Sequence, residues 1–253
     1  QIAQLYQRQA LAFNELSSQW TPKWSNLVGY WKMDGNWLDS SGNGNNGTVS
    51  GDSAFTTSSK VGTHAGSFDG SGDYVTISNS STLQDIQETA FTVSYWGKIT
   101  SSASNAYLIG KSGFHDGVTY EFSGSKYRIG CVLWSTNGID PSVYTGYLYD
   151  INTLQHVACS FNQTDGFSRL YVNGDLVASK SNAASAVMRD FGTTPWRIGS
   201  PNGSSYYFTG IVDEVALFNT SLTSSEIALI YHRQKQKYSG TYDSPIIDMG
   251  SSS

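Results

Sequence analysis

Charged side chains are scarce in this chain, and the basic ones form no run. Asp, Glu, Lys and Arg make up 14% of the 253 residues, and the net charge at pH 7 is −5. Proteins that bind nucleic acids usually carry a basic patch or stripe, so the composition argues against a nucleic-acid partner. No apolar run is long enough to cross a bilayer, which argues against membrane insertion.

The motifs of common catalytic sites are also missing. No Gly-x-Ser-x-Gly or His-Glu-x-x-His pattern, phosphate-binding loop or dinucleotide fingerprint occurs. A retaining glycosidase needs two carboxylates about 5 Å apart across the sugar. Asp213 and Glu214 are neighbours in a predicted strand, so we expect them on opposite faces. The sequence predicts that the chain is not an enzyme.

The chain has two cysteines, Cys131 and Cys159. Each lies in an alternating apolar run, where a cysteine can act as a small buried hydrophobic residue. A cross-strand disulfide is the alternative, and it would require facing positions and an oxidising compartment. Two cysteines do not decide between these readings, and no Cys-x-x-Cys pattern indicates zinc.

Glycine and aromatic residues are abundant. The chain has 26 glycines and 13% aromatic residues, a mixture typical of short strands joined by tight turns. Asn-Gly and Asp-Gly pairs between the apolar runs favour hairpins. From Leu27 onward the apolar period is two, which predicts an antiparallel sandwich. The segments that read as strands are LVGYWKM, SFDGSGDYVTI, AFTVSYWGKI, AYLIGKS, YRIGCVLW, QHVACSF, SRLYVNGDLV, PWRIGS and GIVDEVALF.

Two segments read as helices instead. After Leu222, the segment TSSEIALIYHRQ predicts a short helix, with Thr223 or Ser224 as its N-cap and Glu226 in its first turn. Residues 1–20 form the longest stretch with helical periodicity. The residues on its shared face are Ile2, Tyr6, Gln9, Phe13, Leu16 and Trp20.

Seven motifs in order, over residues 27–232, carry a resemblance to a known family. The hairpin YVNGDLV and the ending IVDEVALFNTSLTSSEI are its most distinctive parts. The chain resembles the laminin-G-like, concanavalin A-like jelly roll. The resemblance implies an all-β, two-sheet antiparallel jelly-roll sandwich, here with an N-terminal helix and a short C-terminal helix. It also implies an extracellular binding module, often for glycans, and in many members a structural calcium ion.

The first residues of the chain resemble its last helix. The pattern Ile-Ala-x-(Leu or Ile)-Tyr-x-Arg-Gln occurs at residues 2–9 and again at 227–234, an offset of 225 residues. Residues 1–20 therefore read as the closing helix of a preceding module. Their heptad spacing also fits the end of a stalk that forms a homotrimer. The expected division is residues 1–20, a jelly-roll domain over 21–237, and a strand over 238–253 that leads to a following segment.

A loop rich in oxygen ligands and glycines, DSSGNGNNG, begins at Asp39. Calcium prefers six to eight such oxygens from carboxylates, amides and backbone carbonyls. The resemblance places Asp213 beside this loop, with the carbonyl group of Ser67 nearby. We therefore predict a structural calcium site with side-chain ligands Asp39 and Asp213 and supporting ligands Asn45 and Ser67. Asx turns are the alternative role for the loop.

Aromatic clusters outside the strongest motifs are candidates for ligand binding. Sugars stack on aromatic rings and hydrogen-bond to polar side chains at the rim of a site. The richest cluster is the insertion WSTNGIDPSVYTGYLYD, and smaller ones lie in GFHDGVTYEF and PNGSSYYF. The predicted ligand-binding residues are Trp134, Asn137, Asp140, Tyr144, Tyr147, His115, Asp116 and Tyr206.

The sequence therefore predicts a non-enzymatic, extracellular or cell-surface module of a larger surface or fibre protein. We expect it to bind a glycan or another cell-surface ligand and to act in adhesion. The main alternative is a structural spacer or a trimerising fibre module without a ligand. A glycan-active enzyme is the third reading, and it lacks the required carboxylate pair.

Overall fold

A computed structural model describes residues 24–102, 105–111 and 117–235. The predicted N-terminal helix, the predicted strand over 238–253, and two of the candidate ligand-binding residues, His115 and Asp116, lie outside this part of the chain. Within it, sixteen strands form two antiparallel sheets of eight strands each. None of the helices described there combines the length and apolar character needed to span a membrane.

The first sheet contains the strands that surround the long central strand β16. Seven strands lie side by side in the order β14 (Asp175–Lys180), β13 (Phe167–Val172), β12 (Gln155–Asn162), β6 (Ala90–Ile99), β16 (Thr209–Phe218), β4 (Ala65–Asp69) and β3 (Ala54–Thr56). The eighth strand, β1 (Leu27–Trp31), also pairs with β16.

The second sheet packs on the first across the core. Seven of its strands lie side by side in the order β10 (Val143–Tyr144), β9 (Lys126–Val132), β8 (Gly117–Ser123), β7 (Ala106–Lys111), β15 (Trp196–Ile198), β5 (Tyr74–Ile77) and β2 (Gly47–Ser50). The eighth, β11 (Tyr149–Asp150), also pairs with β9. The helical segments are α1 (Ile86–Thr89), α2 (Ser224–Lys235) and the 3-10 turns Trp24–Asn26 and Ala183–Ser185.

Alternate residues of both sheets fill the space between them. In β6, Phe91, Val93 and Tyr95 are fully buried and face the second sheet. The hydroxyl groups of Tyr95 and Tyr120 meet at 2.8 Å inside this core, so each buried phenol has a polar partner. The two antiparallel sheets and the core between them confirm the sandwich predicted from the sequence.

The two cysteines form a disulfide that joins the sheets. Cys131 lies in β9 of the second sheet and Cys159 in β12 of the first. Their Cα atoms are 5.6 Å apart, whereas stacked sheets are usually about 10 Å apart, so the sheets converge at this point. Of the two readings left open by the sequence, the disulfide is the one observed, and it crosses the sandwich between the sheets.

The short C-terminal helix predicted from the sequence is α2, and it covers the outer face of the first sheet. Thr223 is its N-cap: the Glu226 amide donates to Oγ1 of Thr223 at 3.2 Å, and the Thr223 amide donates to Glu226 at 2.7 Å. This reciprocal pair is a capping box. Ile227 is fully buried in a second, smaller cluster on this face, with Leu27, Ala158, Tyr171, Ala216, Phe218 and Leu222.

Strand β16 links the two halves of the first sheet. One edge pairs with β6, and the other pairs first with β4, over residues 209–212, and then with β1, over residues 215–218. A β-bulge lies between Asp213 and Ala216, at the change of partner, and Glu214 has a φ of 55°. A bulge of this kind re-aims the side chains on either side of it.

Candidate functional site

A row of residues crosses the outer face of the second sheet and has a tyrosine at each end. Tyr144 of β10 pairs with Gly130 of β9. Gly130 pairs with Thr119 of β8, and Thr119 pairs with Tyr107 of β7. Directly paired residues share a face of a sheet, and the neighbouring Ile129 points into the core. The row therefore faces away from the core.

Gly130 lets the Tyr144 ring lie close against the sheet. A Cβ atom at this position would lie 2.5 Å from Cε1 of Tyr144 and 2.7 Å from Oγ1 of Thr119, so any residue with a side chain would clash with both. Thr119 is 1% exposed, and its hydroxyl has no hydrogen-bond partner in the described structure. A buried hydroxyl without a partner is costly, so the middle of the row holds an unused polar group.

Arg128 stacks on the tyrosines at one end of the row. Its guanidinium carbon lies 4.4 Å from the ring centre of Tyr144 and 5.1 Å from that of Tyr147. Its Nη2 atom lies 2.6 Å from Oε2 of Glu121, the residue opposite it on β8. The hydrogen bond to Glu121 raises the pKa of Arg128. The ion pair and the two stacking contacts fix the guanidinium plane against the aromatic rings.

Tyr206 meets the other end of the row. Its ring centre lies 6.0 Å from that of Tyr107 at an interplanar angle of 82°, an edge-to-face contact. The Tyr107 amide donates to the Tyr206 carbonyl oxygen at 3.1 Å. Tyr206 has a φ of 53°, a conformation that is uncommon for a residue with a bulky side chain. The backbone hydrogen bond and the ring contact join Tyr206 to Tyr107 at this end of the row.

Two of these rings remain open to solvent, because Tyr147 and Tyr206 are each 42% exposed. Burial raises the pKa of Tyr107, with smaller contributions from Tyr144, Glu121 and Tyr206, which places the members of the group within electrostatic range of one another. We call this surface the tyrosine face. It consists of Tyr107, Thr119, Glu121, Arg128, Gly130, Tyr144, Tyr147 and Tyr206.

The structure divides the predicted ligand-binding residues. It brings Tyr144, Tyr147 and Tyr206 to the tyrosine face. Trp134, which has the Arg189 guanidinium 5.3 Å from its ring centre, lies in the loop after β9 beside a hollow of about 260 Å³. His115 lies outside the described residues, as does Asp116.

Asn137 and Asp140 have structural partners in that loop. Nδ2 of Asn137 donates to the Ser185 carbonyl oxygen at 2.7 Å. Asp140 accepts the Ser142 amide at 2.9 Å and forms an ion pair with Lys180 at 3.3 Å. These contacts tie the loop to the neighbouring chain, and a role in ligand binding stays a prediction for both residues.

Sequence reasoning did not assign five members of the tyrosine face, which are Tyr107, Thr119, Glu121, Arg128 and Gly130. Each lies in a segment with strand alternation, at a position that faces outward. Alternation identifies the outward residues of one strand, but it does not identify which strands are neighbours. The register of β7, β8 and β9 was needed to bring these side chains together.

Asp39 organises the loop that was predicted to bind calcium. Its Oδ1 atom accepts the amides of Tyr30 at 2.9 Å and Ser41 at 2.8 Å. Its Oδ2 atom accepts the Asn45 amide at 2.9 Å and the Ser41 hydroxyl at 2.8 Å. Four donors use the hydrogen-bonding capacity of one carboxylate, which is the Asx-turn role considered above.

The supporting ligands of the calcium prediction are also engaged. The Asn45 carbonyl oxygen accepts Nε1 of Trp31 at 2.9 Å, and its Oδ1 atom accepts the Ser80 hydroxyl at 2.7 Å. Ser67 is inside β4 and is paired with residues of both neighbouring strands. The roles of Asp39, Asn45 and Ser67 in metal binding stay predictions that these contacts do not test.

Asp213 lies in a different environment, buried on the outer face of the first sheet. Its Oδ2 atom accepts the amides of Lys60 at 2.7 Å and Val61 at 3.1 Å, while its Oδ1 atom is buried without a partner. Burial raises the pKa of Asp213 to about 6, and the nearby Asp34 carboxylate adds to this rise. Asp34, which sequence reasoning did not select, is thus within electrostatic range of Asp213.

Glu214 lies on the same side of the sheet as Asp213, and the expectation of opposite faces is wrong. The bulge in β16 interrupts the alternation between the two residues. Oε2 of Glu214 accepts hydrogen bonds from the Tyr30 hydroxyl and from Nε2 of Gln234 in α2. Burial raises the pKa of Glu214 to about 7, and the Asp213 charge adds to the rise. Both residues are 2% exposed or less, so the two carboxyl groups are buried.

Acidic groupings elsewhere in the described residues could hold a metal ion. Asp52, Asp69 and Asp73 place carboxylate oxygens within 4.8 Å of one another, and Asp85, Glu88 and Asp190 do the same. In the first grouping, Asp73 already accepts the amides of Asp52 and Asp69. Neither Asp39 nor Asp213 belongs to these groupings.

Comparison with solved structures finds jelly-roll binding domains. The binding domain of Paraclostridial Mosquitocidal Protein 1 has a TM-score of 0.66 and 16% identity, over 83% of this chain and 52% of that one. The binding domain of botulinum neurotoxin DC in complex with SialylT has a TM-score of 0.62 and 13% identity, with the same coverage. The chain therefore spans about half the length of these toxin domains.

A shorter structure matches over almost its full length. Domain 4 of AbnA, a GH43 extracellular arabinanase from Geobacillus stearothermophilus, in complex with arabinotriose, has a TM-score of 0.61 and 19% identity. The match covers 83% of this chain and 98% of that domain. At these identities the likeness shows the fold alone.

A comparison with curated proteins finds no match. The sequence model of the concanavalin A-like lectin/glucanases superfamily matches residues 69–228, which is more than half of the chain. Together with the two antiparallel sheets, this match shows that the chain belongs to the concanavalin A-like lectin/glucanases superfamily.

Proposed function

We propose that the chain is a non-enzymatic, extracellular module that binds a glycan through the tyrosine face. The observation that carries the proposal is the outward row from Tyr107 to Tyr144, extended by the exposed rings of Tyr147 and Tyr206. Aromatic rings offer flat apolar surfaces to the C–H faces of sugars, and the Arg128–Glu121 pair offers fixed hydrogen-bonding groups beside them.

Two further observations support this reading. A disulfide joins the sheets, and disulfides persist in oxidising compartments outside the cytosol. Solved structures with the same fold include one in complex with arabinotriose and one in complex with SialylT. A spacer without a ligand would have no need for open aromatic rings grouped on one face.

Replacement of Tyr147 and Tyr206 by Ala is expected to weaken glycan binding while the fold is kept. Both rings are 42% exposed, so their loss costs little stability. Stacking contacts of this kind contribute about 1 kcal/mol each, so binding should weaken at least about tenfold. The measurement is binding to a glycan array, followed by titration calorimetry with the best sugar.

The matched control is Leu176→Ala, because Leu176 is 49% exposed on β14, at the edge of the first sheet. This variant should bind like the wild type. Equal binding by the tyrosine double variant would contradict the site, and the absence of any bound glycan would favour the spacer.

We also propose that calcium binds beside Asp213. The buried Oδ1 atom of Asp213 lacks a partner, and the Asp34 carboxylate nearby makes the site electrostatically suited to a cation. These two residues would hold the ion, and its charge would offset the repulsion between them. Its role would be structural, because Asp213 is fully buried.

Calcium is expected to raise the melting temperature of the wild type and to leave Asp213→Asn unchanged. An ion at 100 times its Kd, bound to the native state alone, stabilises by about 2.7 kcal/mol. Thermal unfolding in excess chelator and in millimolar calcium measures this shift. Asp52→Asn is the control for exposed acidic residues, and Asp39→Asn tests the ligand predicted from the sequence. Identical wild-type curves in the two buffers would rule out the ion.

A further inference from the structure

Helix α2 is held on the first sheet by a small set of side chains. The Tyr231 ring stacks on Trp96 at 5.7 Å between ring centres, with 28° between the planes. Nε1 of Trp96 donates to Oε1 of Gln234 at 2.9 Å, and Nε2 of Gln234 donates to Glu214 at 3.1 Å. Ile227 is fully buried in the outer cluster. Ile227, Tyr231 and Gln234 are therefore the anchors of the helix.

The surface beneath these anchors is built to receive one helix, and we call it the helix seat. The Tyr231 ring also lies 5.9 Å from the ring centre of His156, which is fully buried. Gly174 leaves room for that ring, because a Cβ atom there would lie 2.9 Å from Cδ1 of Tyr231. The helix seat consists of Trp96, His156, Tyr171, Gly174, Glu214, Phe218 and Leu222.

The repeat at the start of the chain preserves the anchors. With the offset of 225 residues, Ile2, Tyr6 and Gln9 correspond to Ile227, Tyr231 and Gln234. Every position that is identical in the two segments is buried or half-buried in α2.

The exposed positions of α2 are not preserved. His232 and Lys235 are exposed, and their counterparts are Gln7 and Ala10. Half-buried Leu229 also differs, since its counterpart is Gln4, but the three anchor positions are kept. Residues 2–9 lie outside the described part of the chain, and their sequence is what matches the seat.

We propose that residues 2–9 bind the helix seat of a second copy of this module when α2 leaves it. The chain then carries two segments for one seat. Compared with residues 2–9 of another copy, α2 has the advantage of covalent attachment directly after β16, equivalent to a millimolar local concentration, so it fills its own seat in an isolated copy. Exchange joins the start of one copy to the seat of another, a head-to-tail contact that extends into a linear assembly.

A peptide of residues 1–20 and a full-length chain with a weakened α2 test the proposal. The chain carries four substitutions. Tyr231→Ala and Gln234→Ala weaken the packing of α2 on the helix seat, and Tyr6→Ala and Gln9→Ala prevent residues 2–9 of the same chain from competing with the peptide. The labelled peptide should bind this chain at least about tenfold more tightly than it binds the wild type. Tyr6→Ala in the peptide should remove binding, and Gln7→Ala should not. Equal binding of both variant peptides, or none by the parent, would overturn the proposal.

Disulfide cross-linking tests the proposal if the weakened chain does not fold. A Cβ atom at position 174 would lie 3.3 Å from Cβ of Tyr231, close to the separation in a disulfide. A Gly174→Cys chain should therefore form a mixed disulfide with a Tyr6→Cys peptide and not with a Gln7→Cys peptide. Equal trapping of the two peptides, or a peptide that only forms trimers with itself, contradicts binding in the seat.

Discussion

Acid is expected to destabilise the wild-type chain through His156, and His156→Phe is expected to remove that component. His156 is fully buried between Trp96 and Tyr231, and neither ring nitrogen has a hydrogen-bond partner among the described residues. Burial lowers its pKa from 6.5 to about 3. Protonation in the folded state would place an unpaired charge beneath α2.

The sign of the effect follows from the two protonation states. Between the ordinary pKa of 6.5 and the folded value of about 3, the unfolded chain binds a proton at His156 and the folded chain does not. Stability is therefore fully present above pH 6.5 and falls as the pH falls. The slope approaches about 1.4 kcal/mol per pH unit, which amounts to roughly 4 kcal/mol by pH 3.5.

The carboxyl groups beneath the same helix act in the opposite direction. Burial raises the pKa of Asp213 and Glu214, to about 6 and 7. Each of these groups favours the folded state below its unfolded pKa, and this contribution is lost as the pH rises through the folded value. The effect of His156 is therefore the difference in the free energy of unfolding between the wild type and His156→Phe at each pH.

Urea denaturation at pH 7, 5 and 4 measures this difference. His156→Phe should match the wild type to within about 1 kcal/mol at pH 7 and exceed its stability increasingly toward pH 4. His232→Phe is the control, because His232 is an exposed residue of α2. Parallel curves for the wild type and His156→Phe would show that His156 does not control acid stability.

Removal of the disulfide by Cys131→Ala and Cys159→Ala is expected to cost about 3–4 kcal/mol. The cysteines are 28 residues apart, so the bond restricts a loop of moderate length in the unfolded chain. It also joins the two sheets where they converge. The double variant should melt several degrees below the wild type, without change in the circular dichroism of the folded state.

Reduction of the wild type should require unfolding, since both sulfur-bearing residues are fully buried. Thiol titration with and without denaturant checks this point. A double variant with an unchanged melting temperature would show that the bond adds no stability, and rapid reduction of the native protein would show that it is accessible.

Most of the strands were predicted correctly from alternation, whereas β2, β3, β8, β10 and β11 were missed. The hairpin turn at Asn173 and Gly174 has φ angles of 53° and 86°, the mirror-image geometry expected for Asn-Gly. β2 and β3 are four and three residues long and have no fully buried position, so they lack an alternating pattern. β10 and β11 have two residues each, too few for any period to show.

The candidate site could be predicted in part, for a related reason. Tyr144, Tyr147 and Tyr206 stand out as aromatic residues in turn-rich segments. Arg128 and Tyr107 do not, because a residue in a regular strand looks the same whether its outer neighbour is solvent or a binding surface. Asp213 and Glu214 were placed on opposite faces because a bulge has no reliable signal in a single sequence.

The position of β16 in the first sheet has a consequence for how the chain folds during its synthesis on the ribosome. Its partners β1 and β4 on one side, and β6 on the other, are made long before it. Until residues 209–218 emerge, the two halves of this sheet have no strand to join them. Such distant pairings are slow to form, and the waiting edges can pair with other nascent chains. Synthesis must therefore reach almost the end of the described chain before the sheet can close, so the edges of β4 and β6 stay unpaired for most of translation.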